Sequence, residues 1–320
     1  MKPQLTRFAN GITAVDAEYV RPGMAAAHII QHDGRAAFVD TGTTHSVPYL
    51  LAALAELGID PAAVDFVFLT HVHLDHAGGA GALMQALPKA RAVLHPRGAP
   101  HLIDPAKLIQ ASIGVYGEAA YRRLYGEIVP LPQARVLITT DHERMDLAGR
   151  PFEFVHTPGH ALHHQAIVDL DHSGIFTGDT FGMSYRELDT ANGAFIVPIT
   201  PPTQFDPQQL LQSIDRLAAY KPKYLYLMHY SRVTDVPRLA ISLKHQIREF
   251  VRIALEYAAA PDPAGAMSRA MRELWVELAR EHGCQLSDAQ YDEYLAKDIE
   301  LNVQGLVAWL GRRQKTKATP

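Results

Sequence analysis

The segment Thr70-His71-Val72-His73-Leu74-Asp75-His76-Ala77-Gly78-Gly79 carries three imidazoles and a carboxylate almost side by side. Imidazole nitrogen and carboxylate oxygen are donors that a borderline divalent cation such as zinc accepts, and a cation so held can acidify water and polarise a carbonyl or phosphoryl group. The apolar run at 65–69 reads as a buried strand. Residues 71 and 73 share a side where strand geometry persists, and Asp75 and His76, just past it, can turn toward a second metal. Without a metal, burying so many titratable groups would be costly. A dinuclear site needs further ligands, and three more segments offer them: Thr157-Pro158-Gly159-His160, Gly178-Asp179 and Met228-His229. Each stands just beyond an apolar β run, where loops on a rigid sheet gather functional groups. No Ser or Cys nucleophile is required, and no G-x-S-x-G elbow is present.

The elements that must position these side chains alternate between strand and helix. Residues 24–31 and 35–40 form a hairpin around His32-Asp33-Gly34, followed by a helix at 46–58 opened by a Ser46 cap, a strand at 64–70, a short helix at 81–87 and a strand at 91–95. A largely helical insert spans about 96–131. Strands resume at 135–139, 143–147, 151–156, 164–170 and 174–178. After the Pro-rich stretch 181–207 come a helix at 207–219, a strand at 224–228 and three helices, the last opened by the capping box Ser287-Asp288-Ala289-Gln290. This organisation predicts a catalytic domain over 1–235 and a helical C-terminal extension over 236–320.

The chain has 320 residues, 48% hydrophobic and 20% charged, which is the composition of a folded globular protein. Its 30 basic and 34 acidic residues are interspersed, with a net charge of −4, so no electrostatic track for nucleic acid or anionic lipid is expected. The basic cluster Arg312, Arg313, Lys315 and Lys317 reads as a solvated tail. The start MKPQLTRFANG has no apolar export region, and no apolar run approaches the roughly 18 residues of a membrane span, so a cytoplasmic protein is expected. Cys284 is the single cysteine, which excludes an intramolecular disulfide and a Cys-rich metal site. The unusual count is 17 histidines. Those outside the strand-end motifs, such as His28, His32, His45, His101, His142 and His245, read as core or surface residues, His163 as exposed, and His95 as a residue of the pocket rim.

These motifs together resemble the metallo-β-lactamase-fold hydrolases: HxHxDH (His71, His73, Asp75, His76), TPGH (His160), Gly-Asp (Asp179), a last histidine (His229) and an early Asp-Thr-Gly (Asp40-Thr41-Gly42). The resemblance covers about residues 10–232 and implies an α/β fold, the four-layer αββα sandwich of that superfamily, with the helical extension outside it. It also implies that His71, His73 and His160 bind one metal, that Asp75, His76 and His229 bind the second, and that Asp179 bridges. Zinc is the expected cofactor, two ions per chain, with iron and manganese as alternatives. Asp75 carries a second duty as the catalytic residue that orients a bridging hydroxide. Asp40 and His164 are expected to support the ligands from behind.

The same resemblance narrows the substrate. Antibiotic-cleaving enzymes of this fold lack the bridging aspartate found here as Asp179. Glyoxalase-II-type thioesterases share THxHxDHAGG, but their basic glutathione-binding pattern has no clear counterpart. Signal-quenching lactonases carry a tyrosine three residues after the bridging aspartate, where this chain has Gly182. Flavo-diiron proteins replace the residue corresponding to His73 by glutamate. The insert from His95 to Pro105, the stretch Pro198–Asp206 and His229-Tyr230 are similar to an uncharacterised branch of bacterial and archaeal superfamily hydrolases.

The expectation is a dinuclear hydrolase of a small ester, thioester or lactone, with Tyr185 and Arg186 as candidate substrate contacts. The rivals are a phosphodiesterase or nuclease, a mononuclear-iron persulfide dioxygenase, and a regulatory protein that keeps its metals. The helical tail offers a surface for a homodimer.

Overall fold

The computed structural model describes residues 2–200 and 204–318. Pro201, Pro202 and Thr203 of the proline-rich stretch, and the side chain of Lys317 in the basic cluster, lie outside the described residues. Contacts divide the chain into two compact units that interleave along the sequence: Met1–His156, His163–Gly178 and Pro222–Arg232 form one, and Thr157–Leu162, Asp179–Lys221 and Val233–Pro320 form the other.

The first unit opens with strands β1 (Leu5–Arg7), β2 (Ile12–Asp16), β3 (Ala26–His32) and β4 (Arg35–Val39), followed by helix α1 (Val47–Glu56), strand β5 (Val64–Phe68), helices α2 (Leu74–Ala77) and α3 (Ala80–Ala86), and strand β6 (Arg91–Leu94). The insert folds as helices α4 (Ala99–Ile103), α5 (Ala106–Tyr116) and α6 (Glu118–Tyr125), before strands β7 (Val136–Ile138), β8 (Glu143–Leu147), β9 (Arg150–His156), β10 (Gln165–Asp169) and β11 (Gly174–Gly178). After helix α7 (Pro207–Ala219) come strands β12 (Tyr224–Leu227) and β13 (Ser231–Val233), then helices α8 (Val236–Tyr257), α9 (Pro263–Glu281) and α10 (Asp288–Ala318).

Among the described residues the strands form a seven-stranded sheet, ordered β1 to β7, and a six-stranded sheet, ordered β13-β12-β11-β10-β9-β8. Both are mixed. In the first, β1 to β4 pair antiparallel and β4 to β7 parallel. In the second, β8 to β11 are antiparallel and β11 pairs parallel with β12. Asp33 and Gly34, at φ 43° and 73°, make the two-residue turn that reverses β3 into β4, as the sequence predicts.

Alternating side chains partition the core. Ala37 and Val39 of β4, with Phe68 and Val93, face Phe152, Phe154, Ile167 and Phe176 of the second sheet, where the rings of Phe68 and Phe154 meet edge to face at 5.2 Å. On the opposite face, Ala36, Phe38, Val67 and Ala92 pack with Leu50 and Leu54 of α1 and Leu83 and Met84 of α3. The result is two mixed sheets flanked by helices, with α8–α10 as an additional C-terminal set.

Three details depart from the sequence expectations. The first sheet begins two strands earlier than expected: β2 is buried at every position, so it shows no polar–apolar alternation, and β1 is only three residues long. Ser46 makes no side-chain cap to α1; its hydroxyl donates to the Ala17 carbonyl at 2.6 Å. His163 is buried rather than exposed, at 7% accessibility.

Within the second unit, α8 packs on α7 and α9, and α10 on both α8 and α9. Trp275 of α9 is fully buried, its ring 5.7 Å from that of Phe250 on α8. The capping box at the start of α10 forms: Gln290 N donates to Ser287 Oγ at 3.4 Å, and Ser287 N to Gln290 Oε1 at 3.0 Å. These helices fasten the segment that follows Asp179. Tyr185 donates to Asp298 at 3.0 Å, Cys284 to the Leu188 carbonyl at 3.0 Å, and Gln246 to the Ile196 carbonyl at 2.7 Å. Among the described residues no helix is long and apolar enough to cross a membrane.

Candidate metal centre

In the first unit the ligand-type side chains emerge where strands end. Strand β5 stops at Phe68, and the one-turn helix α2 presents Asp75 and His76; His229 follows β12. Asp75, His76 and His229 each offer one donor atom, all within 4.8 Å of one another. Asp75 Oδ2 lies 3.4 Å from Nε2 of His229 and 3.9 Å from Nε2 of His76. Both histidines are buried, whereas the Asp75 side chain keeps 20% of its surface accessible. The accessible side of this group is therefore the carboxylate.

Hydrogen bonds behind the imidazoles fix which nitrogen each presents. Nδ1 of His76 lies 3.0 Å from Asp40 Oδ2, and Nδ1 of His229 lies 2.9 Å from the Met24 carbonyl. A carboxylate and a carbonyl only accept here, so each Nδ1 carries the proton and each Nε2 keeps its lone pair. Asp40 reaches this position from a left-handed backbone at φ 56°, a conformation that aspartate tolerates. Its other bonds come from Thr70, whose amide donates to Oδ1 at 2.8 Å and whose hydroxyl donates to Oδ2 at 2.8 Å. The same hydroxyl lies 3.1 Å from His71 Nδ1, leaving His71 Nε2 directed to His73 Nδ1 at 2.9 Å. Two imidazoles and a carboxylate with oriented lone pairs form a donor set that fits a divalent cation.

His164 is fully buried and stacks on His71 at a centroid distance of 4.8 Å. Gly178, at φ +48°, makes this possible: a Cβ there would stand 2.5 Å from His164 Nε2 and 2.8 Å from the Thr70 side chain. His163 lies edge-on to His73 at 5.6 Å. Burial, and then the neighbouring His73 and His101, hold its pKa well below the usual imidazole value. His95 is buried as well; burial first, then the charge of nearby His156, lowers its pKa to about 4, and its Nδ1 accepts from the Arg97 amide at 3.0 Å.

Tyrosines pack beside Asp75. Leu74, Tyr121, Tyr125 and Ile128 form a buried cluster with Tyr19 and Tyr116 against it. The hydroxyls of Tyr19 and Tyr125 are 3.3 Å apart. Burial, followed by Tyr19 and the Asp75 carboxylate, pushes the Tyr125 phenol far above its ordinary pKa, so it stays protonated.

In the second unit His160 and Asp179 are both buried, with His160 Nε2 3.2 Å from Asp179 Oδ2. Nδ1 of His160 donates to the Ile199 carbonyl at 3.2 Å. Tyr185 is 1% exposed and its hydroxyl is engaged by Asp298. The Arg186 guanidinium is held within its own loop by the Ser184 carbonyl at 2.6 Å and by the Asp189 carboxylate at 3.1 Å. Sequence reasoning missed Thr70 and the carbonyls of Met24 and Ile199. A threonine beside HxHxDH was a readable signal; a backbone carbonyl leaves none.

Comparison with known proteins gives a consistent result. The family described as Metallo-beta-lactamase superfamily matches residues 20–229. A metallo-beta-lactamase fold-containing protein of Sulfurisphaera tokodaii is 28% identical over 227 residues, covering 70% of this chain and 78% of that one. A hydroxyacylglutathione hydrolase of Stenotrophomonas maltophilia is 31% identical over 152 residues, which span 48% of this chain and 44% of the relative. The crystal structure of a metallo-beta-lactamase family protein from Thermus thermophilus superposes with a TM-score of 0.68 at 21% identity, covering 95% of this chain and 94% of the other.

Proposed function

The chain belongs to the metallo-beta-lactamase superfamily and is a metal-dependent hydrolase, and we propose that it cleaves a small carboxylic ester, thioester or lactone with two zinc ions. The observation that carries this reading is the Asp75, His76 and His229 group, with Asp40 fixing His76 from behind. In our assignment Asp75, His76 and His229 would hold one ion, and the ligand roles of His71, His73, His160 and Asp179 are those the sequence motifs imply. Bound there, the two ions would lower the pKa of a shared water toward neutrality and polarise the scissile carbonyl.

The protein's own groups do the rest. The accessible carboxylate of Asp75 accepts a hydrogen bond from the attacking water and so fixes its orientation. Asp40 and Thr70 keep His76 and His71 in the tautomers whose Nε2 carries the lone pair. The buried Tyr125, its hydroxyl 3.3 Å from that of Tyr19, walls the Asp75 side without adding a negative charge. Thioesters are favoured by the partial likeness to a hydroxyacylglutathione hydrolase. The reading does not extend to glutathione, whose basic binding pattern has no clear counterpart in the sequence.

The test pairs metal content by mass spectrometry with turnover on thioester, ester, lactone, phosphodiester and β-lactam substrates. Two equivalents of zinc with turnover on a thioester, ester or lactone is the expected result. One equivalent of iron, or turnover confined to phosphodiesters, would overturn it.

A further inference from the structure

The helical tail reaches a candidate metal ligand through a short series of hydrogen bonds. Asn302 lies on α10 and is 3% exposed. Its Oδ1 accepts from the Thr200 amide at 2.7 Å and from the Thr200 hydroxyl at 2.7 Å, and the same hydroxyl lies 3.0 Å from the Asn302 carbonyl. The amide side of Asn302 is fixed as well, because Nδ2 donates to the Asp298 carbonyl at 2.8 Å. One turn earlier, the Asp298 carboxylate receives the Tyr185 hydroxyl at 3.0 Å. Thr200 follows Ile199, whose carbonyl takes the Nδ1 proton of His160. The segment from Tyr185 to Thr200 is thus held at both ends by α10.

We propose that Asn302 is a positioning residue for His160, acting through Thr200 and the Ile199 carbonyl, and that α10 is therefore part of the metal-binding apparatus. The proposal rests on the reading of His160 as a ligand. An imidazole ligand is aimed by the acceptor on its other nitrogen. Here that acceptor is a backbone carbonyl, which cannot be steered by its own side chain. The only way to set it is to fix the peptide that bears it, and the bond from the Thr200 amide of that same peptide to Asn302 Oδ1, with the Thr200 hydroxyl beside it, does that from a buried position. A surface-covering role for the tail would not require a buried asparagine whose Oδ1 takes both polar hydrogens of one threonine.

The experiment uses the full-length protein with Asn302→Leu, Thr200→Val, Thr200→Ser and His160→Ala, titrated with zinc, and with cobalt(II) as a spectroscopic probe. Asn302→Leu keeps the volume and removes the acceptor. We expect it to weaken one of the two metal equivalents by about ten- to a hundredfold and to change the cobalt absorption of that site, while the other equivalent binds as in the wild type. Thr200→Val shows a smaller effect of the same kind, and Thr200→Ser, which retains the hydroxyl, restores the wild-type spectrum. Unchanged zinc affinities and cobalt spectrum in Asn302→Leu, alongside a lost equivalent in His160→Ala, overturn the positioning role alone. Two full-affinity equivalents in His160→Ala overturn the ligand assignment and the proposal with it. Parallel weakening of both equivalents, together with lost far-UV ellipticity of the metal-free Asn302→Leu protein, assigns the asparagine a purely structural role and also overturns the proposal.

Discussion

Asp40 Oδ2 and His76 Nδ1 stand 3.0 Å apart, with the His76 side chain fully buried and that of Asp40 only 3% exposed. The carboxylate closes a network that also holds Thr70 and, through the Thr70 hydroxyl, His71. One side chain thus bears on two imidazoles.

Asp40→Ala is accordingly expected to weaken metal binding by about ten- to a hundredfold, the usual cost of removing the group that orients a ligand imidazole. Isothermal titration of the metal-free protein measures it. Asp40→Asn keeps an acceptor for His76 and should fall between the two. An Asp40→Ala protein with wild-type affinity would show that the His76 tautomer does not depend on this contact.

His71→Ala and Asp179→Ala remove proposed ligands outright. Each should lower bound metal from two equivalents toward one and reduce hydrolysis by at least about a hundredfold, in line with the loss of an electrostatic stabiliser of the transition state. Mass-spectrometric metal content and initial rates on the preferred substrate give the answer. Full metal content with full activity in either variant would refute the ligand set.

Stability should fall with acid because of His28. Its ring is buried between Phe176 at 5.4 Å and Tyr226 at 5.6 Å, and burial lowers its pKa to about 3. The unfolded chain takes up a proton near pH 6.5 that the folded chain refuses, so this contribution is complete above 6.5 and diminishes toward pH 3. The slope reaches about 1.4 kcal/mol per pH unit. Urea unfolding of the metal-free protein between pH 4 and 8 reads it, and His28→Gln should flatten that part of the profile. An equally steep profile in His28→Gln assigns the slope to other groups.

Tyr185→Phe separates a role in folding from a role in substrate binding. Losing the hydrogen bond to Asp298 should destabilise the protein by about 1–2 kcal/mol in urea unfolding. With the hydroxyl engaged by Asp298, KM for the preferred substrate is expected to stay within twofold. A tenfold rise in KM without a stability change would return Tyr185 to the substrate pocket.

What the sequence made legible was side-chain chemistry at strand ends. His71, His73, Asp75, His76, His160, Asp179 and His229 all announce themselves by type and by the apolar run before them, and the strands and helices read from the hydrophobic pattern between β3 and α9 fall close to the observed ones, although α2, the separate helices α4–α6 and strand β13 are not resolved by it. The parts that stayed hidden have physical reasons. Strand β2 is covered on both faces and has no alternation to detect. Met24 and Ile199 act through carbonyls, which every residue possesses. The Thr200–Asn302 pair joins segments far apart in the chain, and neither residue type is distinctive. Ser46 looked like a helix cap because serine often is one, yet the Ala17 carbonyl competed successfully for its hydroxyl.

The parallel pairing of β11 with β12 has a consequence for the order of assembly. Strand β12 cannot take its place until the whole excursion through α7 has been synthesised, whereas the partners of the β5–α2 junction, β4, β6 and Gln165 of β10, all precede α7 in the chain. During vectorial synthesis the HxHxDH segment is therefore in position well before His229 arrives. His229 is the latecomer that completes the group with Asp75 and His76, and a nascent chain truncated before β12 should hold metal more weakly than the finished one.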